Sequence, residues 1–234
     1  MKYLKKFLIG VVLLVILFAL ALVVYSANPY QAEDAMIHQL GVDLSMTVTD
    51  DFDQISYTVD HPISNIIIIP GGKVKANAYQ YLAYQLALEN HNVTIVKPLL
   101  NLAILTPNYA NRFIDEDLDN VLIGHSLGGV VAAMIASKSE FVSKVVLLGS
   151  YSTVNINDID VLLITGEFDL VLDQENFTEN QKYLNEDAVF FEIEGGNHAQ
   201  FGWYGPQKGD GVATISTLEQ QNIIIEQINM FITN

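Results

Sequence analysis

Apolar positions divide this chain into one long uninterrupted run and a series of short ones. Phe7 to Tyr25 reads FLIGVVLLVILFALALVVY, nineteen residues with neither a charge nor a proline. As a helix that run is long enough to span a hydrocarbon core of about 30 Å. Beyond it the pattern changes period. SMTVTD and QISYTVD flank DDFD and alternate apolar with polar residues, which predicts an antiparallel hairpin. NIIIIPGG is a continuous apolar run, as expected of a strand covered on both faces. Residues 76–89, ANAYQYLAYQLALE, carry helical spacing, and NVTIVKP predicts the next strand. NVLIG, KVVLLGS, DVLLITG and AVFFEIEG predict four more, and Thr214 to Phe231 a closing helix. Strands alternating with helices imply an α/β domain, with a mostly parallel sheet, right-handed crossovers and helices on both faces. The expected organisation is a basic cytoplasmic segment (1–6), an anchor (7–25), a short linker (26–35) and one α/β domain (36–234).

Charge sharpens this division. The net charge is −16, yet Lys2, Lys5 and Lys6 precede the apolar run and no acid occurs before Glu33. From residue 7 onward, eight basic residues face 27 acidic ones. Such a body excludes nucleic acid as a partner, because nothing would neutralise the phosphates. The leading lysines stay cytoplasmic by the positive-inside rule, which places the domain outside the membrane. A cleaved signal segment has an apolar region of only about 7–15 residues, and VVYSAN offers a mediocre cleavage site. An uncleaved membrane anchor is therefore expected, with a secreted form as the alternative. The chain has no cysteine, which excludes disulfides, thiolate metal sites and a cysteine nucleophile.

Candidate chemistry begins at DNVLIGHSLGGVVAAMIAS, residues 119–137. A strand that turns through G-x-S-x-G straight into a helix presents its serine, here Ser126, as a nucleophile. A serine hydroxyl needs a base to take its proton and a third group to orient that base. Of the five histidines, His38, His61 and His91 read as surface residues, and His125 as packing beside the turn. His198 follows a late strand inside the glycine-bracketed loop GGNHAQFGWYG, at the edge where open α/β sheets place ligands. It is the expected base. Asp169, after the strand DVLLITG, is the expected acid; Glu167 fits less well, and Asp173 looks more like a helix cap. The chain order Ser126, Asp169, His198 is that of α/β-hydrolases. The oxyanion formed on attack needs preorganised N–H donors. Leu127, at the helix start, supplies one, and Gly72 in PGGKV the other, with Lys73 as the alternative.

Together, PGGKV, GHSLGG, GEFD and EGGNHAQFGWYGPQKGDG give residues 65–211 a resemblance to the α/β-hydrolases, in their small dienelactone-hydrolase-like branch. The resemblance implies Ser126 as nucleophile, Asp169 as acid and His198 as base. The chain departs from dienelactone hydrolases proper, which carry cysteine where this chain has Ser126. The spacing between these residues leaves no room for a sizeable cap domain, so the site is expected to be shallow and open. Lys73, His125, Phe201, Trp203 and Tyr204 are candidates for its pocket. Such a site beside a membrane suits small-molecule esters or acylated envelope polymers, with no metal or organic cofactor. An acyltransferase or peptidase using the same residues, or a non-catalytic binding protein on the same fold, are the alternatives.

Overall fold

A computed structural model describes residues 2–41, 43 and 45–233. Among these residues, eight strands form one sheet in the order β1-β2-β4-β3-β5-β6-β7-β8. β1 (Met46–Asp50) and β2 (Gln54–Val59) form the antiparallel hairpin, and β2 also pairs antiparallel with β4 (Asn92–Val96). From β4 onward the pairing is parallel, through β3 (Asn65–Ile69), β5 (Asn120–His125), β6 (Val142–Leu148), β7 (Asp160–Gly166) and β8 (Val189–Ile193). This is the mostly parallel α/β sheet that the alternation of runs implies.

Two apolar layers hold the sheet. Every residue of β3 is buried, and successive isoleucines serve opposite faces. Ile66 and Ile68 pack with α3 (Gln80–Leu88) and α6 (Thr217–Thr233), whereas Ile67 and Ile69 pack with α4 (Leu127–Ala136). Fully burying one such side chain stabilises the fold by roughly 1.5–3 kcal/mol, so a charge at Ile67 would split a layer. The helix expected over 76–89 opens as a 3-10 turn, Ala76–Tyr79, before α3 begins. Among the described residues, the β7–β8 connection carries only α5 (Gln174–Glu179) and one 3-10 turn, and the β6–β7 connection is a loop. Among the described residues, no cap covers the carboxyl edge of the sheet.

The N-terminal run forms α1 (Lys2–Ser26), a helix long and apolar enough to cross a membrane. The segment read as linker is much shorter than 26–35. Tyr30 N–H donates to the Lys73 carbonyl (2.7 Å), Lys75 N–H donates back to Tyr30 (2.9 Å), and Glu33 N–H donates to Trp203 O (3.1 Å). After the short helix α2 (Asp34–Ile37) begins, Met36 is buried against Tyr81 and Trp203. An apolar side chain seated among two aromatic rings fixes this stretch to the body, leaving residues 27–29 as the free tether.

Candidate active site

Five strands end at one edge, and each delivers part of a site. β5 leads into Ser126, whose φ of 52° and ψ of −123° lie where non-glycine residues are rarely found. Backbone strain of this kind costs of order 1–3 kcal/mol and persists only where the surroundings enforce it. Here they do. Ser126 N–H donates to Leu148 O (2.9 Å), and Ser150 Oγ donates to Ser126 O (2.6 Å). The flanking glycines let strand and helix meet: a Cβ on Gly124 would lie 2.4 Å from Gly129 Cα, and one on Gly128 would lie 2.2 Å from Ile69 O. No side chain caps α4; Gly129 N–H donates to Ser126 O (2.9 Å), whereas Leu127 N–H has no acceptor among the described residues.

β7 and β8 deliver the second pair. His198 Nδ1 lies 2.8 Å from Asp169 Oδ2, with both side chains buried. Asp169 Oδ1 accepts the N–H groups of Val171 (3.0 Å) and Leu172 (2.8 Å), so the carboxylate is held at both oxygens. A carboxylate only accepts, which places the proton on His198 Nδ1 and leaves Nε2 as the free base. Ser126 and His198 line one cleft of about 210 Å³, with Leu127, Val130, Tyr151 and Leu172 among its walls. Asp173 does not join the pair; it caps α5 by accepting Asn176 N–H (3.0 Å). Glu167 is likewise occupied, accepting Gly195 N–H (2.8 Å).

β3 delivers the loop Pro70–Lys73. Lys73 N–H donates to Asn101 O (2.8 Å), whereas Gly72 N–H has no acceptor among the described residues. A Cβ on Gly72 would lie 3.4 Å from a Leu127 methyl, so Gly72 and Leu127 are neighbours. Behind them stands His125, which is buried and does not line the cleft. Gly71 N–H donates to Tyr79 Oη (2.9 Å), which lies 2.7 Å from His125 Nδ1. Having accepted from Gly71, Tyr79 donates its own proton to Nδ1, and the neutral imidazole carries its hydrogen on Nε2. Burial holds the His125 pKa well below the usual range, and the neighbouring His198 ring pushes it the same way. The His198 backbone pulls weakly in the other direction, but Nε2 has no aligned hydrogen-bond partner among the described residues.

The aromatic residues expected to border the pocket do not border it. Phe201 and Tyr204 lie in the core beneath the sheet, and Trp203 packs edge-on to Tyr81 at 5.3 Å. Trp203 N–H donates to Ala78 O (2.7 Å), and Tyr204 packs on Tyr30 at 5.2 Å. The loop therefore turns its rings inward, where their apolar area is removed from water. Lys73 also lies outside the cleft, its Nζ 4.6 Å from the centre of the Tyr25 ring.

Three supporting residues are not singled out by the sequence pattern, although Asp210 lies within the GGNHAQFGWYGPQKGDG stretch. Gly149, after β6, has a φ of 51°, and a Cβ there would lie 2.9 Å from both Asp169 Oδ2 and His198 Nδ1. Asp210 Oδ2 accepts Ala199 N–H (2.8 Å), one residue past the imidazole. Gln220, buried on α6, clamps Asn197 by accepting its N–H (3.0 Å) and donating to its carbonyl (2.8 Å). Only the GDG triplet around Asp210 hints at a turn. Among the described residues, no three His, Asp or Glu side chains converge as a metal site.

The family model described as "Alpha/beta hydrolase family" matches residues 65–222. No curated protein matches the chain. Solved structures do. A dienelactone hydrolase from Anabaena variabilis is 14% identical with a TM-score of 0.57, over 78% of this chain and 96% of that one. A ferulic acid esterase from Streptomyces cinnamoneus is 16% identical with a TM-score of 0.60, over 73% of this chain and 66% of that one. A monoacylglycerol lipase from Paleococcus ferrophilus is 14% identical with a TM-score of 0.55, over 80% of this chain and all of that one. At such identity these likenesses are likenesses of fold.

Proposed function

The chain belongs to the alpha/beta hydrolase family, and on that premise we propose that it is a serine hydrolase cleaving carboxylic esters outside the cytoplasmic membrane. The observation that carries this reading is the buried His198–Asp169 pair set beside the strained turn of Ser126. His198 Nε2 takes the Ser126 proton as Oγ attacks the acyl carbonyl. The N–H groups of Leu127 and Gly72 receive the oxyanion, and one such donor is worth about 2.7–4 kcal/mol of barrier. Collapse of the intermediate expels the alcohol, which takes its proton from His198. Water then attacks the acyl-enzyme, giving its proton to His198, and Ser126 is released with the carboxylic acid. Asp169 stays ionised throughout and keeps the imidazole in the productive tautomer. Only these side chains and water take part.

The uncapped cleft leaves Ser126 open to an ester from outside, and two of the folds the chain resembles are named esterase and lipase. The N-terminal lysines and the apolar helix support an anchored, extracytoplasmic domain. Turnover of p-nitrophenyl esters from acetate to decanoate by the full chain, beside Ser126→Ala, tests the reading. Parent activity that the alanine variant lacks is expected. Equal rates for the two proteins would overturn it.

A further inference from the structure

A second and larger concavity, about 690 Å³, lies on the other side of the Gly71–Lys73 loop, between the β1–β2 turn and residues 97–109. Phe52, Ile55, Ala76, Leu99 and Tyr109 give it a mainly apolar lining. That volume falls in the range of roughly 300–1,000 Å³ typical of ligand sites. Its Asn101 wall receives the Lys73 N–H, and Gly72 abuts Leu127 of the Ser126 cleft. The groove and the cleft therefore share one loop as their partition.

Chain length fixes where this face sits. α1 ends at Ser26, and Tyr30 is bonded to residues 73 and 75 on either side of Val74. Four residue steps extend at most about 14 Å, whatever the tilt of the helix. With α1 seated in a bilayer, the loop that separates groove from cleft would be held within that distance of the membrane surface. The surface around it suits that position. Phe52 is 89% exposed, Leu99 60%, Ile104 39% and Leu105 36%, all at the groove or on the segment that forms its rim. Tyr25 at the helix end, with Lys73 over its ring, matches the aromatic and cationic residues that settle at membrane interfaces. Of the eight basic residues beyond the apolar helix, Lys73, Lys75, Lys97 and Arg112 lie on this face. Lys97 and Arg112 pair with Asp50 and Asp53, while Lys73 and Lys75 have no acidic partner among the described residues, which leaves their charge for an anionic group such as a headgroup phosphate.

We propose that the carboxyl edge of the sheet faces the bilayer and that the substrates are esters of membrane amphiphiles, whose apolar tail lies in the 97–109 groove while the ester reaches Ser126. This rests on the serine-esterase reading and names its substrate class. It also changes the sequence-based preference for soluble esters, which saw no lodging for a long chain.

The test uses the full chain in phosphatidylcholine–phosphatidylglycerol vesicles containing 1-monooleoylglycerol, with p-nitrophenyl acetate as the soluble control. Two variants accompany it: a long Gly-Ser insertion after Asn28, and the pair Ile104→Glu, Leu105→Glu on the exposed rim. Each is expected to slow vesicle-ester hydrolysis by at least about tenfold, through loss of effective concentration, with acetate turnover unchanged. If the parent lacks acetate turnover, the esterase reading itself fails. If acetate is turned over but the vesicle ester is untouched, is cleaved equally by both variants, or is outcompeted by an acylated polysaccharide, the membrane proposal alone falls.

Discussion

Gly149 shows how little space the site leaves around its base. Its Cβ position coincides with the edge of the Asp169–His198 pair, and its φ is positive, so alanine there meets both a steric and a conformational obstacle. Gly149→Ala is expected to displace the imidazole and lower kcat by about 10²-fold, the penalty of an ångström-scale misplacement. Wild-type kcat from a correctly folded Gly149→Ala protein would contradict that assignment. The placement of Ser126, Asp169 and His198 at one edge was readable from sequence, because each directly follows an apolar run and parallel strands end together. Gly149 was not readable. Its constraint comes from side chains in the loops after two other strands, and no residue pattern near KVVLLGS records them. Phe201, Trp203 and Tyr204 misled for a related reason: a loop sequence shows that rings are present but not which way the loop turns them.

At the scale of elements, the site depends on how α6 meets the loop after β8. Gln220 holds both backbone groups of Asn197, the residue before His198, so the closing helix positions the base from behind. Gln220→Ala leaves a buried N–H and a buried carbonyl unpaired, which costs about 1–3 kcal/mol per group. The expected result is a lower melting temperature together with reduced kcat at nearly constant KM, since the substrate cleft itself is untouched. A loss of stability with unchanged kcat would leave Gln220 a merely structural residue. The sheet was legible at this scale because β3 and its neighbours are short, continuous apolar runs. The seating of residues 30–36 was not, because SANPYQAEDA looks polar and its anchors, Lys73, Lys75, Tyr81 and Trp203, are distant in sequence.

For the whole molecule, acidity and buried histidines set the response to pH. His125 is buried, and so is His91, which the sequence placed on the surface but which lies 2.7 Å from Ser64 Oγ in the interior; burial lowers the pKa of each. Once unfolded, they take up protons near pH 6.5, the usual histidine value. Below that pH the unfolded state binds more protons than the folded one, so stability falls as pH drops. One such histidine contributes a slope of up to about 1.4 kcal/mol per pH unit. Carboxylates reach half-protonation only near about pH 4, so the histidine effect is read above about pH 5. Urea midpoints are expected to decline between about pH 7 and pH 5; a flat or rising midpoint across that window would contradict the buried, neutral state of these rings.

If Ser126 is a nucleophile activated by His198, a reagent that traps activated serines captures it covalently. The full chain would be treated with a fluorophosphonate and its peptides analysed by mass spectrometry. A single adduct on Ser126 that disappears in His198→Ala is expected. An unlabelled Ser126, or labelling that persists without His198, would contradict it.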